Sequence, residues 1–208
     1  MKQKPVIIDY GSGNLRSVAK AFAHVSGAEP LVTSNPADLA TASHIILPGV
    51  GAFGDCAAGL RGLKGMVEAL EEQVLQRKKP FLGICVGMQL LADTGYEHGV
   101  HKGLGWISGE VVPIIPQNNL PVPHMGWNSL DLKIHSPITQ NIGADVYFVH
   151  SFKFECAEKY AKEYVVATTS YCGAIQAFLA KDNIFGVQFH PEKSGKAGLQ
   201  LIQNFLNI

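Results

Sequence analysis

Apolar residues fall in short unbroken runs through the first half of the chain and in looser alternation through the second. Val6-Ile7-Ile8-Asp9, Leu31-Val32-Thr33, His44-Ile45-Ile46-Leu47 and the stretch from Lys79 to Leu82 are bounded by glycine, proline or polar residues. Runs of this length read as strands buried on both faces, the mark of a parallel sheet covered by helices. Helical signals lie between them. Gly11-Ser12-Gly13-Asn14 turns the chain into a helix from about Leu15 to His24, and Ser34-Asn35-Pro36 resembles a cap before a short helix. Met66 to Lys78 reads as a longer helix, with Glu68, Glu71 and Glu72 early and Arg77, Lys78 and Lys79 late, as the helix dipole prefers. Met88 to Ala92 reads as the first turns of another.

Beyond Ala92 the pattern changes. Asp93 to Gly99 is loop, Trp106 to Ile115 reads as a strand or two, and Pro113, Pro116, Pro121 and Pro123 break the next twenty or so residues into loop. Asp145–Val149, Tyr164–Thr169, Ala174–Ala180 and Ile184–Phe189 are strand-like and closely spaced, so the second half is partly antiparallel. Ser194 to Ile208 closes as a helix with Leu199, Ile202 and Phe205 on one face. The pattern predicts an α/β fold with a mostly parallel sheet and an antiparallel C-terminal portion, in one domain over residues 1–208.

Charge narrows the partners. Lys plus Arg and Asp plus Glu number 17 each, so the net charge is zero and nothing favours nucleic acid or an anionic membrane. Met1-Lys2-Gln3-Lys4-Pro5 leads into an apolar run only from Val6 to Ile8, too short for a signal peptide. Cys56, Cys85, Cys156 and Cys172 show no C-x-x-C spacing, which points away from a zinc site or disulfide framework. The expectation is a cytoplasmic protein with reduced thiols.

One of those cysteines sits where a nucleophile would. Gly83-Ile84-Cys85-Val86-Gly87 joins a buried strand to a helix, and the flanking glycines give room for a tight, strained turn. The N–H of Val86 then becomes an oxyanion donor. A buried structural cysteine fits the same pattern. A second stretch shifts the balance toward chemistry. In Gly186-Val187-Gln188-Phe189-His190-Pro191-Glu192 a base and a carboxylate stand two residues apart, on the same side of an extended segment, able to meet as base and orienting group.

Other features are less specific. Gly11-Ser12-Gly13 begins like a dinucleotide fingerprint, but Arg16 occupies the third glycine position. Pro48-Gly49-Val50-Gly51-Ala52-Phe53-Gly54 follows a strand, so its backbone N–H groups can face a ligand on the same sheet edge as Cys85. Glu97, His98 and His101 are too loosely spaced for a metal set, and no metal or cofactor is expected. His124 reads as structural and His150 as lining the site.

With Cys85, His190 and Glu192 assembled, the chain resembles the class I (triad) glutamine amidotransferases, on Gly83-Ile84-Cys85-Val86-Gly87-Met88-Gln89 and Phe189-His190-Pro191-Glu192. Within that class Asp9-Tyr10-Gly11-Ser12-Gly13-Asn14, Pro48-Gly49-Val50-Gly51, Pro123-His124-Met125-Gly126-Trp127-Asn128 and Glu192-Lys193-Ser194 resemble the glutaminase subunits of imidazole glycerol phosphate synthases. Val86 stands where leucine is commoner and Phe152 where tyrosine is frequent. The resemblance implies a flavodoxin-like three-layer core and a Cys85–His190–Glu192 triad. It implies an oxyanion hole from the backbone of Val86 and of Val50 or Gly51, and L-glutamine held by Gly49, Gln89, Glu97 and the His150-Ser151-Phe152 backbone. It also implies a (β/α)₈-barrel cyclase as a second chain receiving ammonia, since none of these residues is left over for an acceptor site. Asn14, Arg16, Tyr147 and Lys193 are candidates for that interface. A paralogue feeding another synthase, or a free-standing thiol γ-glutamyl hydrolase, remains open on the residues alone.

Overall fold

The computed structural model describes residues 3–117 and 119–208; Met1 and Lys2, at the head of the N-terminal stretch read above, and Asn118 lie outside them. The order of elements is β1 (Pro5–Ile8), α1 (Leu15–Ser26), β2 (Leu31–Thr33), β3 (His44–Gly49), α2 (Phe53–Gly62), α3 (Met66–Leu70), β4 (Phe81–Cys85) and the single turn α4 (Val86–Gln89). Then come β5 (Thr94–Gly95), β6 (His101–Lys102), β7 (Gly109–Pro113), β8 (His124–Ser129), β9 (Asp131–Leu132), β10 (Asp145–His150) and β11 (Phe152–Cys156). The chain closes with α5 (Glu158–Tyr164), β12 (Val165–Ser170), β13 (Ala174–Lys181), β14 (Ile184–Val187) and α6 (Gly195–Leu206).

The main sheet runs β2-β1-β3-β4-β14-β13-β12-β9. Its first five strands are parallel and their order is that of a flavodoxin-like sheet, whereas β13, β12 and β9 continue it antiparallel. Strand β14 shows the layering directly. Phe185 packs edge-on against Phe205 of α6, while its neighbour Gly186 lies against Met88 and Leu91. Adjacent strand residues point to opposite faces, so the sheet is sandwiched between the α6 layer and the layer beside the elbow. Burial on both faces explains why Val6-Ile7-Ile8 and Ile45-Ile46-Leu47 are unbroken apolar runs. A ribbon of β8 with β10, and a small sheet β11-β7-β5-β6, stand beside this core.

Several boundaries differ from the sequence expectation. The fourth strand extends through Cys85, and the helix after it is one turn beginning at Val86 rather than running from Met88 to Ala92. The Met66–Lys78 segment is α-helical only to Leu70, then widens over Glu71–Gln76 so that the Arg77 N–H reaches back five residues to the Glu72 carbonyl at 2.9 Å. Helices α2 and α5 and strands β8 and β11 were not foreseen.

Candidate active site

Three neighbouring parallel strands, β3, β4 and β14, end on one edge of the sheet. In register Gly49 is level with Cys85, and Val187 with Ile84. The loop after β3, the elbow after β4 and the turn after β14 therefore converge without any long connection. Cys85 sits at φ 54°, ψ −111°, a backbone conformation that strains any residue with a Cβ. The glycines around it are required by contact. A methyl on Gly83 would lie 2.5 Å from the Gly87 carbonyl oxygen, and one on Gly87 would run into the Leu47 carbonyl oxygen. Gly87→Ala is expected to cost about 2–4 kcal/mol of folding stability, because rigid backbone is what must yield. Denaturant unfolding checks this, and a loss under about 0.5 kcal/mol would mean the elbow tolerates a Cβ.

His190 and Glu192 are almost wholly buried, and the imidazole Nδ1 lies 2.9 Å from Glu192 Oε1. The other ring nitrogen, Nε2, has no hydrogen-bond partner, and His190 and Cys85 line the same cleft. Burial opposes a charge on His190, but Cys85 and Glu192 together outweigh it and raise its pKa to about 10. The shift favours the doubly protonated ring. Ser194 fixes the turn that presents it: the Ser194 hydroxyl donates to the His190 carbonyl at 2.6 Å and accepts from the Tyr147 N–H at 2.9 Å.

The cleft has a volume of about 450 Å³ and is walled by Val50, Gly51, Val86, Gln89, Glu97 and the His150-Ser151-Phe152 segment. A larger hollow of about 670 Å³, between α5 and strands β11 to β13, contains none of the catalytic candidates, so the smaller cleft is the candidate site. Gly49 does not line it. A methyl at Gly49 would lie 2.6 Å from the Tyr10 hydroxyl and 2.8 Å from Gly87 N, so glycine there lets β3 pack on the elbow. Val50 is turned away: its N–H points to Ser12 Oγ at 3.3 Å, while its carbonyl accepts from the Ser12 hydroxyl and, at 3.5 Å, from the Cys56 thiol. Burial pushes the Cys56 thiol up, which keeps it a donor. Val86 opens its turn, so its N–H lacks an intrahelical acceptor.

The family profile for class I glutamine amidotransferases matches residues 6–208. The chain belongs to the class I glutamine amidotransferases. It is 51% identical over 209 residues to the imidazole glycerol phosphate synthase subunit HisH of Rhodospirillum rubrum, covering 96% of each chain. The protein of the same name from Agrobacterium fabrum is 50% identical, again over 96% of each. Among solved structures, a glutamine amidotransferase superposes with a TM-score of 0.74 at 16% identity, over 98% of this chain and 99% of that one. PurLQS from Thermotoga maritima gives 0.72 at 19% identity, over 100% and 99%. At such identities the two structures speak to the fold, which they share.

In this amidotransferase the remaining predicted residues separate. Gln89 is buried and its amide donates to the Phe152 carbonyl and to Gln188 Oε1, both at 3.0 Å. Glu97 reaches back to accept the Phe53 N–H at 2.8 Å, satisfying the open N-terminus of α2. His101, by contrast, packs its ring over Gly54, and no cluster of three or more metal-ligating side chains occurs among the described residues. Arg16 and Lys193 are exposed, Asn14 and Tyr147 half-buried, and the Lys193 ammonium sits 5.8 Å from the centre of the Tyr147 ring. Among the described residues no helix is long and apolar enough to cross a membrane.

Gln188 was missed. Wholly buried, it directs Nε2 toward Cys85 Sγ at 3.7 Å. The rule that pairs His190 with Glu192 also puts Gln188 on their side of the strand end, so the signal was present. Ser12 had no signal of its own, since its partner Val50 lies 38 residues away, and for Ser194 the same holds of the Tyr147 N–H, 47 residues away.

Proposed function

We propose that this chain hydrolyses L-glutamine to L-glutamate and ammonia as the glutaminase subunit of imidazole glycerol phosphate synthase, in histidine biosynthesis. The observation that carries the reading is the convergence of Cys85, His190 and Glu192 on one cleft; the HisH relatives at about 50% identity over nearly the whole chain support the pathway. One glutaminase domain over residues 1–208 accounts for the activity, and four free, buried cysteines accord with a reducing cytoplasm.

Cys85 sulfur attacks the side-chain amide carbon of glutamine. The oxyanion that forms is held by the Val86 N–H and by one from the Val50-Gly51 segment. His190, oriented by Glu192, gives its proton to the departing nitrogen, and ammonia leaves with the γ-glutamyl group bonded to Cys85 as a thioester. Water then attacks the thioester; His190 takes the water's proton and the sulfur departs, releasing glutamate and restoring the resting pair. Gln89, Glu97 and the His150-Ser151-Phe152 backbone hold the glutamine in the cleft. Ammonia in bulk water is mostly protonated and no longer nucleophilic, so the product needs a sheltered route to its acceptor. The acceptor is a (β/α)₈-barrel cyclase subunit docked over the cleft, near Asn14, Arg16, Tyr147 and Lys193.

The position of Val50 gives this reading its test. With the Val50 N–H and carbonyl both engaged by Ser12, one oxyanion donor is misdirected, a defect worth roughly 10²–10³ in rate. The isolated chain is expected to release glutamate slowly, and the complex with cyclase and acceptor substrate to do so about 10²-fold faster or more. Equal rates for the chain alone, the complex and the complex with acceptor would rule out the switch. No glutamate release in any of the three would rule out the function.

A further inference from the structure

A line of polar groups runs through the β8–β10 ribbon to the wall of the cleft. Asn128 Nδ2 stands 3.2 Å from His124 Nε2, His124 Nδ1 is 3.0 Å from His150 Nε2, and His150 Nδ1 is 2.8 Å from the Phe152 carbonyl oxygen. Both ends of this line have a fixed sense. Asn128 Nδ2 also donates to the Ser170 carbonyl at 3.1 Å, and the Ser129 N–H donates to Asn128 Oδ1, so the amide presents N–H to His124. At the other end a carbonyl can only accept. Each imidazole must then accept at Nε2 and donate from Nδ1. A second proton on either ring would set two donors face to face.

The Phe152 carbonyl is the junction between this line and the nucleophile. It also accepts from Gln89, whose other N–H goes to Gln188, which in turn points at Cys85 sulfur. We propose that Asn128, His124 and His150 are positioning residues: a one-way relay of neutral imidazoles that holds the His150–Phe152 wall of the glutamine cleft, and through it Gln89, in binding geometry. The inference rests on the glutaminase reading of that cleft.

The surroundings agree with neutral rings. His124 is stacked between Phe148 and Tyr171, with ring centres 4.6 and 4.0 Å away. The titratable groups facing the pair are Tyr171 from the end of β12, His190 from the turn after β14, and each other. Burial lowers His124 to about 4 and His150 to about 3, the proximity of His124 and His190 further opposing a charge on His150 against the hydrogen bond to the Phe152 carbonyl, which favours one. Unfolded histidine titrates near 6.5, so below that pH the unfolded chain binds protons that the folded one refuses. The contribution of these two rings to folding is therefore expected to fall steadily as pH drops from 6.5 toward 4, and to be constant above 6.5.

The test uses the synthase complex with acceptor substrate present. His124→Phe keeps the stacked ring and removes the donor to His150. It is expected to raise the KM for glutamine about tenfold, the scale for a buried acceptor left without its donor, with kcat changed less than about threefold. His124→Asn restores an N–H near the Nδ1 position and should return KM to within about threefold of wild type. His124→Phe should also flatten the pH dependence of unfolding between 6.5 and 4, by removing one proton-refusing ring. If His124→Phe does not fold, Asn128→Ala, at the half-buried outer end of the relay, should still raise KM by about threefold. Unchanged KM in every folded variant, or a KM rise that His124→Asn fails to reverse, would overturn the relay. Cys85→Ala run alongside separates the two readings: wild-type glutamate release there would place the nucleophile outside this cleft and remove the reading on which the relay rests, whereas its loss with unchanged KM in His124→Phe would refute only the relay.

Discussion

Replacing Cys85 with alanine is expected to lower glutamate release by at least about 10⁴-fold, while the proposed cyclase partner, bound to the variant, still turns over with added ammonia. The first half follows from the elbow. At φ 54° the backbone of Cys85 is held in a strained turn between glycines that touch neighbouring backbone, and no other cysteine is placed this way beside His190. Cys56 bonds the Val50 carbonyl, Cys172 faces Gln117, and Cys156 lies in the wall of the hollow away from the site. Alanine at Cys156 or Cys172 should therefore leave glutamate release within about threefold, the cost being confined to packing. The second half follows from the proposed division of labour, in which this chain makes ammonia and a partner consumes it. Wild-type glutamate release by Cys85→Ala would place the nucleophile elsewhere. Loss of ammonia-dependent turnover would mean that the substitution had broken the subunit contact instead.

His190→Ala is expected to be nearly as damaging as Cys85→Ala, with Glu192→Ala milder by one to two orders of magnitude. Glu192 Oε1 orients the ring and helps keep it protonated, but with the carboxylate gone the imidazole is still present, and Cys85 still favours its charge. The double variant Cys85→Ala, His190→Ala should be no slower than the worse single one, because the two groups act in one step. Additive losses in kcat would show that they work independently and would contradict the shared mechanism.

Most of the machinery could be read from local sequence because local geometry makes it. The elbow needs glycine on both sides of a residue at positive φ, and G-x-C-x-G states that need directly. A base and its carboxylate two apart on an extended segment meet whatever the rest of the chain does, and the 2.9 Å contact follows. The parallel strands β1, β3 and β4 were visible because burial on both faces leaves no polar alternation, whereas β2, at the sheet edge, exposes Leu31 and Val32 despite its apolar run.

What was missed has a common cause. Helix α2 carries Gly54, Gly59 and Gly62, which weaken its helical signal, yet two of these are demanded from outside the helix. A methyl on Gly54 would strike the His101 ring, and one on Gly59 would lie 2.7 Å from the Tyr10 carbonyl oxygen. Strand β8 sits behind a run of prolines and exposes Met125 and Trp127, so its outward face looks apolar and its alternation is hidden.

The sequence by itself determined the fold class, the glycine-flanked elbow at Cys85 and the pairing of His190 with Glu192, since each depends on neighbours in the chain or on apolar runs. Only the tertiary structure decided which way the Val50 peptide faces, that Gln188 points at the nucleophile, that Gly49 packs rather than binds, and that His124 and His150 join into one line. Each of these is a contact across strand register or between separate sheets. A hydrogen bond of that kind is fixed by where two distant backbones come to rest, and neither residue carries its partner's position in its own surroundings.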